Sequence, residues 1–98
     1  LVALFTFGNG ELKNYKSIHI GTNDIQDGEG PVRLVFMNGG NTVATIRLFS
    51  NGERFLNFSA RDELNGVDLS AITKISIGGE TASGSVQISN IYLSQAEH

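Results

Sequence analysis

Apolar and polar residues alternate along much of this chain with a period of two, the pattern of a β-strand with one buried and one solvated face. The alternation predicts seven short strands, at about Val2–Phe7, Ser17–Thr22, Val32–Met37, Thr42–Ser50, Arg54–Ala60, Thr73–Ile77 and Ser85–Ser94. Only Ala60–Ser70 could hold a helical turn, and Gly66 interrupts it. Short strands spaced about a dozen residues apart favour a β-sandwich or a small barrel.

Turn-forming residues separate the predicted strands. They are Gly8-Asn9-Gly10, Asp27-Gly28-Glu29-Gly30-Pro31, Asn38-Gly39-Gly40-Asn41 and Asn51-Gly52. The pair Asn51-Gly52, flanked by alternating runs, is the strongest short-range hairpin signal among them. It predicts that Thr42–Ser50 and Arg54–Ala60 are antiparallel neighbours.

The two faces of this predicted hairpin differ in character. The better core positions are Ala44, Ile46, Leu48, Leu56 and Phe58. The opposite face then carries Arg47, Phe49, Phe55 and Asn57. An ordinary solvent face rarely combines rings and polar groups in this way, so these residues form a candidate site. The alternative is that the Phe rings pack elsewhere in the sandwich and that Arg47 and Asn57 are ordinary solvated residues.

The segment Asp68–Leu93 reads DLSAITKISIGGETASGSVQISNIYL, two alternating runs either side of a Gly-rich turn. It predicts a hairpin-like pair of strands at the end of the domain. Its second run changes parity between Ile88 and Ile91, which indicates a bulge or twist near Asn90.

This segment resembles the C-terminal end of β-sandwich carbohydrate-binding modules appended to bacterial glycoside hydrolases. In those modules D-L-S-x-V-x-x-I-x-x-G-G precedes a Gly-broken loop and a closing V-x-I-x-N-I-x-L strand. The resemblance covers about a quarter of the chain. It implies an antiparallel, jelly-roll-like sandwich of about seven to eight strands, a polysaccharide ligand, and a covalently attached catalytic domain in a larger, secreted bacterial protein.

Composition and charge limit the kinds of partner that the chain is expected to bind. The 98 residues suit a single domain, 1–98, and the net charge of −3 gives no basic field for phosphates, so nucleic acid is not an expected partner. No apolar run is long enough to cross a membrane, so no membrane partner is expected either. The absence of cysteine excludes disulfides, thiolate catalysis and Cys-based zinc sites.

Sugars need aromatic rings for their C–H faces and polar groups for their hydroxyls. The candidate rings are Phe49, Phe55, Tyr15 and Tyr92, and the candidate hydrogen-bonding residues are Arg47, Asn57, Arg33, Gln87 and His19. Arg47, Phe49, Phe55 and Asn57 form the preferred surface, with Tyr15, Tyr92 and Gln87 next. Modules that bind crystalline cellulose generally present a flat aromatic row that includes Trp, and this chain has no Trp. We therefore expect a soluble or amorphous β-glucan, or a related plant cell-wall glycan such as xyloglucan.

Catalysis is not expected. Glycoside hydrolysis needs two carboxyl groups across a cleft, whereas the acidic residues here fall in predicted loops or at loop edges. His19 stands alone between Ile18 and Ile20, where an ordinary surface histidine is the better interpretation.

A structural calcium ion is the one cofactor considered, because related modules often hold one between the first and last strands. Calcium prefers oxygen donors, and the nearest matches are Asn9, Glu11 and Asn90. Many of those modules have Asp where Asn90 stands, so one charge is missing. The oxygen-rich stretch 22–29 could also wrap an ion, with a polar turn as the alternative.

The hypothesis from the sequence is a non-catalytic polysaccharide-binding module that keeps an attached hydrolase near its substrate. The alternative is a structural or interaction sandwich, a spacer or adhesin element without a sugar site. The two differ in one observable feature. A spacer should bury Phe49 and Phe55, whereas a binding module should expose them beside polar groups.

Overall fold

The computed structural model describes residues 1–25, 31–79 and 86–98. In this part of the chain two antiparallel sheets form a β-sandwich, which confirms the predicted fold class. The strands are β1 (Ala3–Thr6), β2 (Ser17–Asn23), β3 (Val32–Asn38), β4 (Asn41–Leu48), β5 (Gly52–Asn57), β6 (Lys74–Gly79) and β7 (Gln87–Ser94). Each lies within a few residues of a predicted strand.

One sheet has four strands in the order β1-β6-β3-β4, and the other has three in the order β5-β2-β7. Short 3₁₀ turns connect them, at Glu11–Asn14, Phe58–Ala60, Asp62–Leu64 and Leu69–Ala71. Three of these turns lie in or beside the predicted helical stretch, and the turn at Glu11–Asn14 was not predicted. None of the described helices is long and apolar enough to cross a membrane.

The core lies between the two sheets. It consists of the apolar residues that alternate with polar residues along each strand. The four-stranded sheet contributes Val32, Leu34, Phe36, Ala44, Ile46, Leu48, Ile75 and Ile77, and facing residues include Ile18, Ile20 and Leu56. The rings of Phe36 and Phe58 meet edge to face, with centroids 6.0 Å apart. The predicted faces of β4 and β5 are therefore confirmed.

The pairing predicted for Asn51-Gly52 is wrong. β4 pairs with β3 and β5 pairs with β2, so Asn51-Gly52 carries the chain from one sheet to the other. A type I′ hairpin turn needs positive φ at both central residues, and Asn51 does not have it. Its side chain instead accepts a hydrogen bond from Ile25 N (2.9 Å) and donates one to Ile25 O (3.3 Å).

A second set of hydrogen bonds holds this link between the sheets at Ser50, the residue before Asn51. The Thr22 hydroxyl donates to the Ser50 carbonyl at 2.9 Å, and the Arg54 guanidinium donates to the same carbonyl and to the Thr22 hydroxyl. Partial burial lowers the pKa of Arg54 from its usual range. These hydrogen bonds connect the link between β4 and β5 to β2, so β5 does not pair with β4.

The tight hairpin lies one strand earlier, between β3 and β4. Asn38 pairs with Asn41, which leaves a two-residue loop of Gly39 and Gly40. Gly39 has φ 59° and Gly40 does not have positive φ, the combination found in a type II′ turn. Glycine at the first central position is what that turn requires.

The predicted pairing at the end of the domain is also wrong. β6 pairs with β1 and β3, whereas β7 pairs with β2 in the opposite sheet. The Gly-rich turn that was expected to join them includes residues 80–85, which lie outside the described residues.

The bulge predicted near Asn90 is confirmed. His19 pairs with Tyr92 while Gly21 pairs with Ser89, so β7 has one extra residue at this point. Asn90 takes the left-handed conformation, φ 53°, that this geometry imposes.

A pair of substitutions isolates the cost of that conformation. Asn90→Ala and Asn90→Gly both delete the side-chain amide, but only alanine is strained at positive φ. We expect the alanine variant to be less stable than the glycine variant by about 1 kcal/mol, measured as the free energy of unfolding in urea. Equal stability of the two variants would mean that β7 can lose the bulge.

Candidate ligand surface on the outer face of the smaller sheet

Three aromatic rings meet on the outer face of the sheet formed by β5, β2 and β7. The strand register places Phe55 and Tyr92 on either side of His19. The His19 centroid is 4.7 Å from each of the other two, stacked on Tyr92 and edge to face with Phe55, and the Phe55 and Tyr92 centroids are 6.0 Å apart. We call these three residues the aromatic cluster. Tyr92 is 48% exposed, and Phe55 and His19 are partly exposed.

The bulge explains how Tyr92 joins this cluster. Ile88 packs against the core, so an uninterrupted strand would turn residue 92 to the same inner face. The extra residue at Asn90 reverses the parity, so Ile91 and Leu93 pack inward and Tyr92 points outward. His19 points outward because its neighbours on the central strand occupy the core.

A polar group lies beside the cluster, above Gly21. The Asn90 side-chain amide donates to the Glu53 carboxylate, and the Asn90 carbonyl is 2.7 Å from His19 Nδ1. A carbonyl can only accept, so Nδ1 carries the proton and Nε2 is the acceptor of the neutral ring. A Cβ at Gly21 would lie 2.9 Å from Ser89 Oγ and 3.0 Å from Glu53 Cγ. The missing side chain therefore makes room for this group.

The segment Gln95–His98 crosses the other side of the cluster. The His98 ring stacks on Phe55 with a centroid distance of 3.7 Å and an interplanar angle of 13°. The Asn57 side chain pairs with the His98 backbone in both directions, donating to its carbonyl and accepting from its amide at 2.9 Å each.

Hydroxyl groups extend this set of contacts. Ser17 donates to the Ala96 carbonyl at 2.7 Å, and Ser59 donates to the Glu97 carboxylate at 2.6 Å. The Ser94 hydroxyl is 2.9 Å from His98 Nε2. The segment is therefore bound to the sheet by both its backbone and its side chains.

The predicted preferred surface is divided between the two sheets. Phe55 and Asn57 lie on the smaller sheet, while Arg47 lies on the outer face of β4 and Phe49 follows β4 with 70% exposure. Arg47 faces Arg33 across the β3–β4 pair. The division follows from the wrong hairpin, because residues assigned to one hairpin belong to different sheets.

The secondary candidates are also separated. Tyr92 belongs to the aromatic cluster, and Gln87 is exposed on β7 opposite Asn23. Tyr15 lines a cavity of about 390 Å³ that borders the Ser59–Glu97 contact and does not include the aromatic cluster. The other residues lining that cavity are Lys13, Lys16, Phe58, Ser59, Leu64, Val67, Leu69 and Glu97.

The predicted calcium ligands have different surroundings. Asn9 is exposed, the Glu11 carboxylate accepts a hydrogen bond from Gly8 N at 2.8 Å, and Asn90 contacts Glu53. Among the described residues no three His, Cys, Asp or Glu side chains group as metal ligands would. A calcium site at Asn9, Glu11 and Asn90 stays a prediction, and the alternative stretch 22–29 lies partly outside the described residues.

Two described carboxyl groups have shifted pKa values, and both shift downwards. Hydrogen bonds from Arg61, at 2.7 and 3.1 Å, lower the pKa of Glu63. Hydrogen bonds from the Ser70 hydroxyl and amide, at 2.6 and 3.0 Å, lower the pKa of Asp68. A general acid in glycoside hydrolysis needs a raised pKa, so neither carboxyl group has that property.

The chain matches no family model, no curated protein and no solved structure. The resemblance to carbohydrate-binding modules therefore rests on Asp68–Leu93 alone.

Glu53, Ser89 and the segment Gln95–His98 were not predicted as parts of this surface. The parity change at Asn90 was a usable signal for the outward position of Tyr92. Nothing local in the sequence indicated that β2 lies between β5 and β7, which is the arrangement that brings the rings together.

Proposed function

We propose that this domain is a non-catalytic polysaccharide-binding module whose ligand surface is the outer face of the smaller sheet. The observation that carries the proposal is the partly exposed aromatic cluster with polar side chains on both sides of it. A sugar ring needs this combination, because it has apolar C–H faces and hydroxyl groups around its edge.

The polar neighbours supply both kinds of hydrogen-bonding group. The Glu53 carboxylate can accept hydrogen bonds from sugar hydroxyls, and so can the acceptor nitrogen of a neutral His19 ring. The amides of Asn57 and Asn90 can donate or accept. All of these groups belong to one sheet face, so a single saccharide chain can contact them together.

The charge of the surface favours a neutral polysaccharide. The Glu53 carboxylate lies beside the cluster, and the whole chain carries a net charge of −3. An anionic polysaccharide would be repelled by this field, whereas a β-glucan or xyloglucan would not. A soluble or amorphous β-glucan is therefore the proposed ligand class.

Exposure of the rings supports binding over a purely structural role. A spacer was expected to bury Phe49 and Phe55, yet Phe49 is 70% exposed and Phe55 is partly exposed. In a secreted bacterial protein with an attached hydrolase, weak binding would raise the local concentration of enzyme at its polymer.

Affinity electrophoresis tests the proposal. Native gels containing hydroxyethylcellulose or xyloglucan should retard the chain, whereas gels containing polygalacturonate should not. Retardation should persist in high salt, because the proposed contacts involve no ion pair with the ligand. A non-binding protein of similar charge is the control. Normal mobility in both neutral polysaccharides, for the full chain and for a folded variant without the segment Gln95–His98, would refute the proposal.

A further inference from the structure

We propose that the segment Gln95–His98 occupies the ligand surface and that polysaccharide displaces it on binding. The segment would then act as a built-in competitor that sets the apparent affinity of the module. This inference rests on the function proposed above and adds a form of regulation to the same site.

The contacts of the segment match those expected of a sugar. The His98 ring covers one face of Phe55 at a stacking distance of 3.7 Å, the position that the C–H face of a pyranose would take. Asn57 uses both its amide oxygen and its amide nitrogen on the His98 backbone. While the segment is docked, this face of Phe55 and these groups of Asn57 are already occupied.

Part of the surface stays open while the segment is docked. Tyr92 is 48% exposed, and the group formed by Glu53 and Asn90 lies on the other side of the cluster from Asn57. A saccharide can therefore make first contact at Tyr92 and displace His98 as it extends across Phe55. Direct competition is confined to Phe55 and Asn57.

The strength of docking suits a displaceable segment. Residues 95–98 are exposed, and most of their hydrogen bonds lie at the surface, where each contributes little net free energy. The apparent dissociation constant rises in inverse proportion to the fraction of molecules with a free site. A segment docked in about four-fifths of the molecules would weaken binding roughly fivefold.

Some anchors of the segment lie outside the proposed sugar contacts, so they can be changed separately. Ser59 binds Glu97, and replacing Ser59 removes that contact without altering the aromatic cluster. His98→Ala removes the ring from Phe55. Gln95→Ala is the matched control, because the Gln95 side chain makes none of the contacts described above.

The experiment compares the full chain with a variant that lacks residues 95–98, in native gels containing hydroxyethylcellulose or xyloglucan. We expect the deletion to tighten binding roughly fivefold, His98→Ala and Ser59→Ala to tighten it less, and Gln95→Ala to have no effect. Deletion also removes the partner of the buried Ser17 hydroxyl. If circular dichroism shows that the deletion variant is unfolded, His98→Ala and Ser59→Ala decide the question.

The outcomes separate the two proposals. Binding by the full chain with no gain in any variant would refute displacement and leave the function intact. Absence of binding by both the full chain and a folded deletion variant would refute the function, and displacement with it. Binding by the deletion variant alone would be the strongest support for both.

Discussion

Replacing Phe55 with Ala is expected to weaken binding of hydroxyethylcellulose at least tenfold, whereas replacing Phe49 with Ala should leave binding unchanged. Tenfold corresponds to about 1.4 kcal/mol. Buried or half-buried aromatic residues at the centre of a contact surface commonly contribute that much or more. Phe55 belongs to the aromatic cluster and contacts the rings of His19 and His98, whereas Phe49 lies beyond the end of β4, a strand of the opposite sheet.

The Phe49 variant is a matched control because the same side chain is truncated at a more exposed position. Affinity electrophoresis over a range of polymer concentrations gives the dissociation constant of each variant. Loss of binding in Phe49→Ala with normal binding in Phe55→Ala would place the ligand on the larger sheet, next to Arg47. Equal losses in both variants would contradict a single-face site.

The segment Gln95–His98 affects how the Phe55 result is read. Phe55→Ala also removes the ring on which His98 stacks. The substitution should therefore weaken docking of the segment as well as binding of the ligand. The two effects oppose one another in the full chain. The loss should therefore be larger when Phe55→Ala is made in the variant without residues 95–98, and the difference between the two backgrounds measures their coupling.

The sequence predicted the strands well because a period of two reports burial directly. On β4 the alternation correctly assigned Ala44, Ile46 and Leu48 to the core and Arg47 to the outside. Alternation says which face a side chain occupies, but it does not say which sheet holds the strand. Residues predicted to share one surface consequently lie on two.

The pairing errors have a physical cause in contacts between residues distant in sequence. Asn51-Gly52 carries the local composition of a hairpin turn, but Asn51 is held by Ile25 and the adjacent Ser50 carbonyl is held by Thr22. These bonds fasten the link to β2. Nothing within the turn itself signals partners that lie more than twenty residues away in the chain.

The sequence allowed several residues of the candidate site to be predicted by type, but it did not reveal that they lie together on one face of the smaller sheet. Phe55, Asn57 and Tyr92 were identified from the chemistry of sugar recognition, and the bulge at Asn90 was read from the parity change. Their convergence depends on β2 lying between β5 and β7. That order is set by burial across the whole sandwich, so local patterns do not reveal it.

Replacing Phe36 with Ala is expected to reduce the free energy of unfolding by about 3–5 kcal/mol. Phe36 is completely buried on β3, where it meets the Phe58 ring and lies between Ala44 and Ile75 on the neighbouring strands. Truncation removes the ring from the core and leaves a cavity that two packed sheets cannot close. Domains of this size are commonly stable by about 5–15 kcal/mol, so the loss is a large share of the total.

Urea unfolding followed by far-ultraviolet circular dichroism measures this effect, and Phe49→Ala is again the matched control, with an expected change within about 0.5 kcal/mol. A loss below about 1 kcal/mol for Phe36→Ala would contradict its place in the core.

Measurements of affinity distinguish loss of stability from loss of the ligand surface. In conditions where Phe36→Ala remains folded, its affinity for hydroxyethylcellulose should equal that of the unaltered chain, because Phe36 lies in the other sheet and does not touch the ligand surface. Phe55→Ala should show the reverse, with a smaller loss of unfolding free energy than Phe36→Ala, because its ring is only half-buried, and a large loss of affinity.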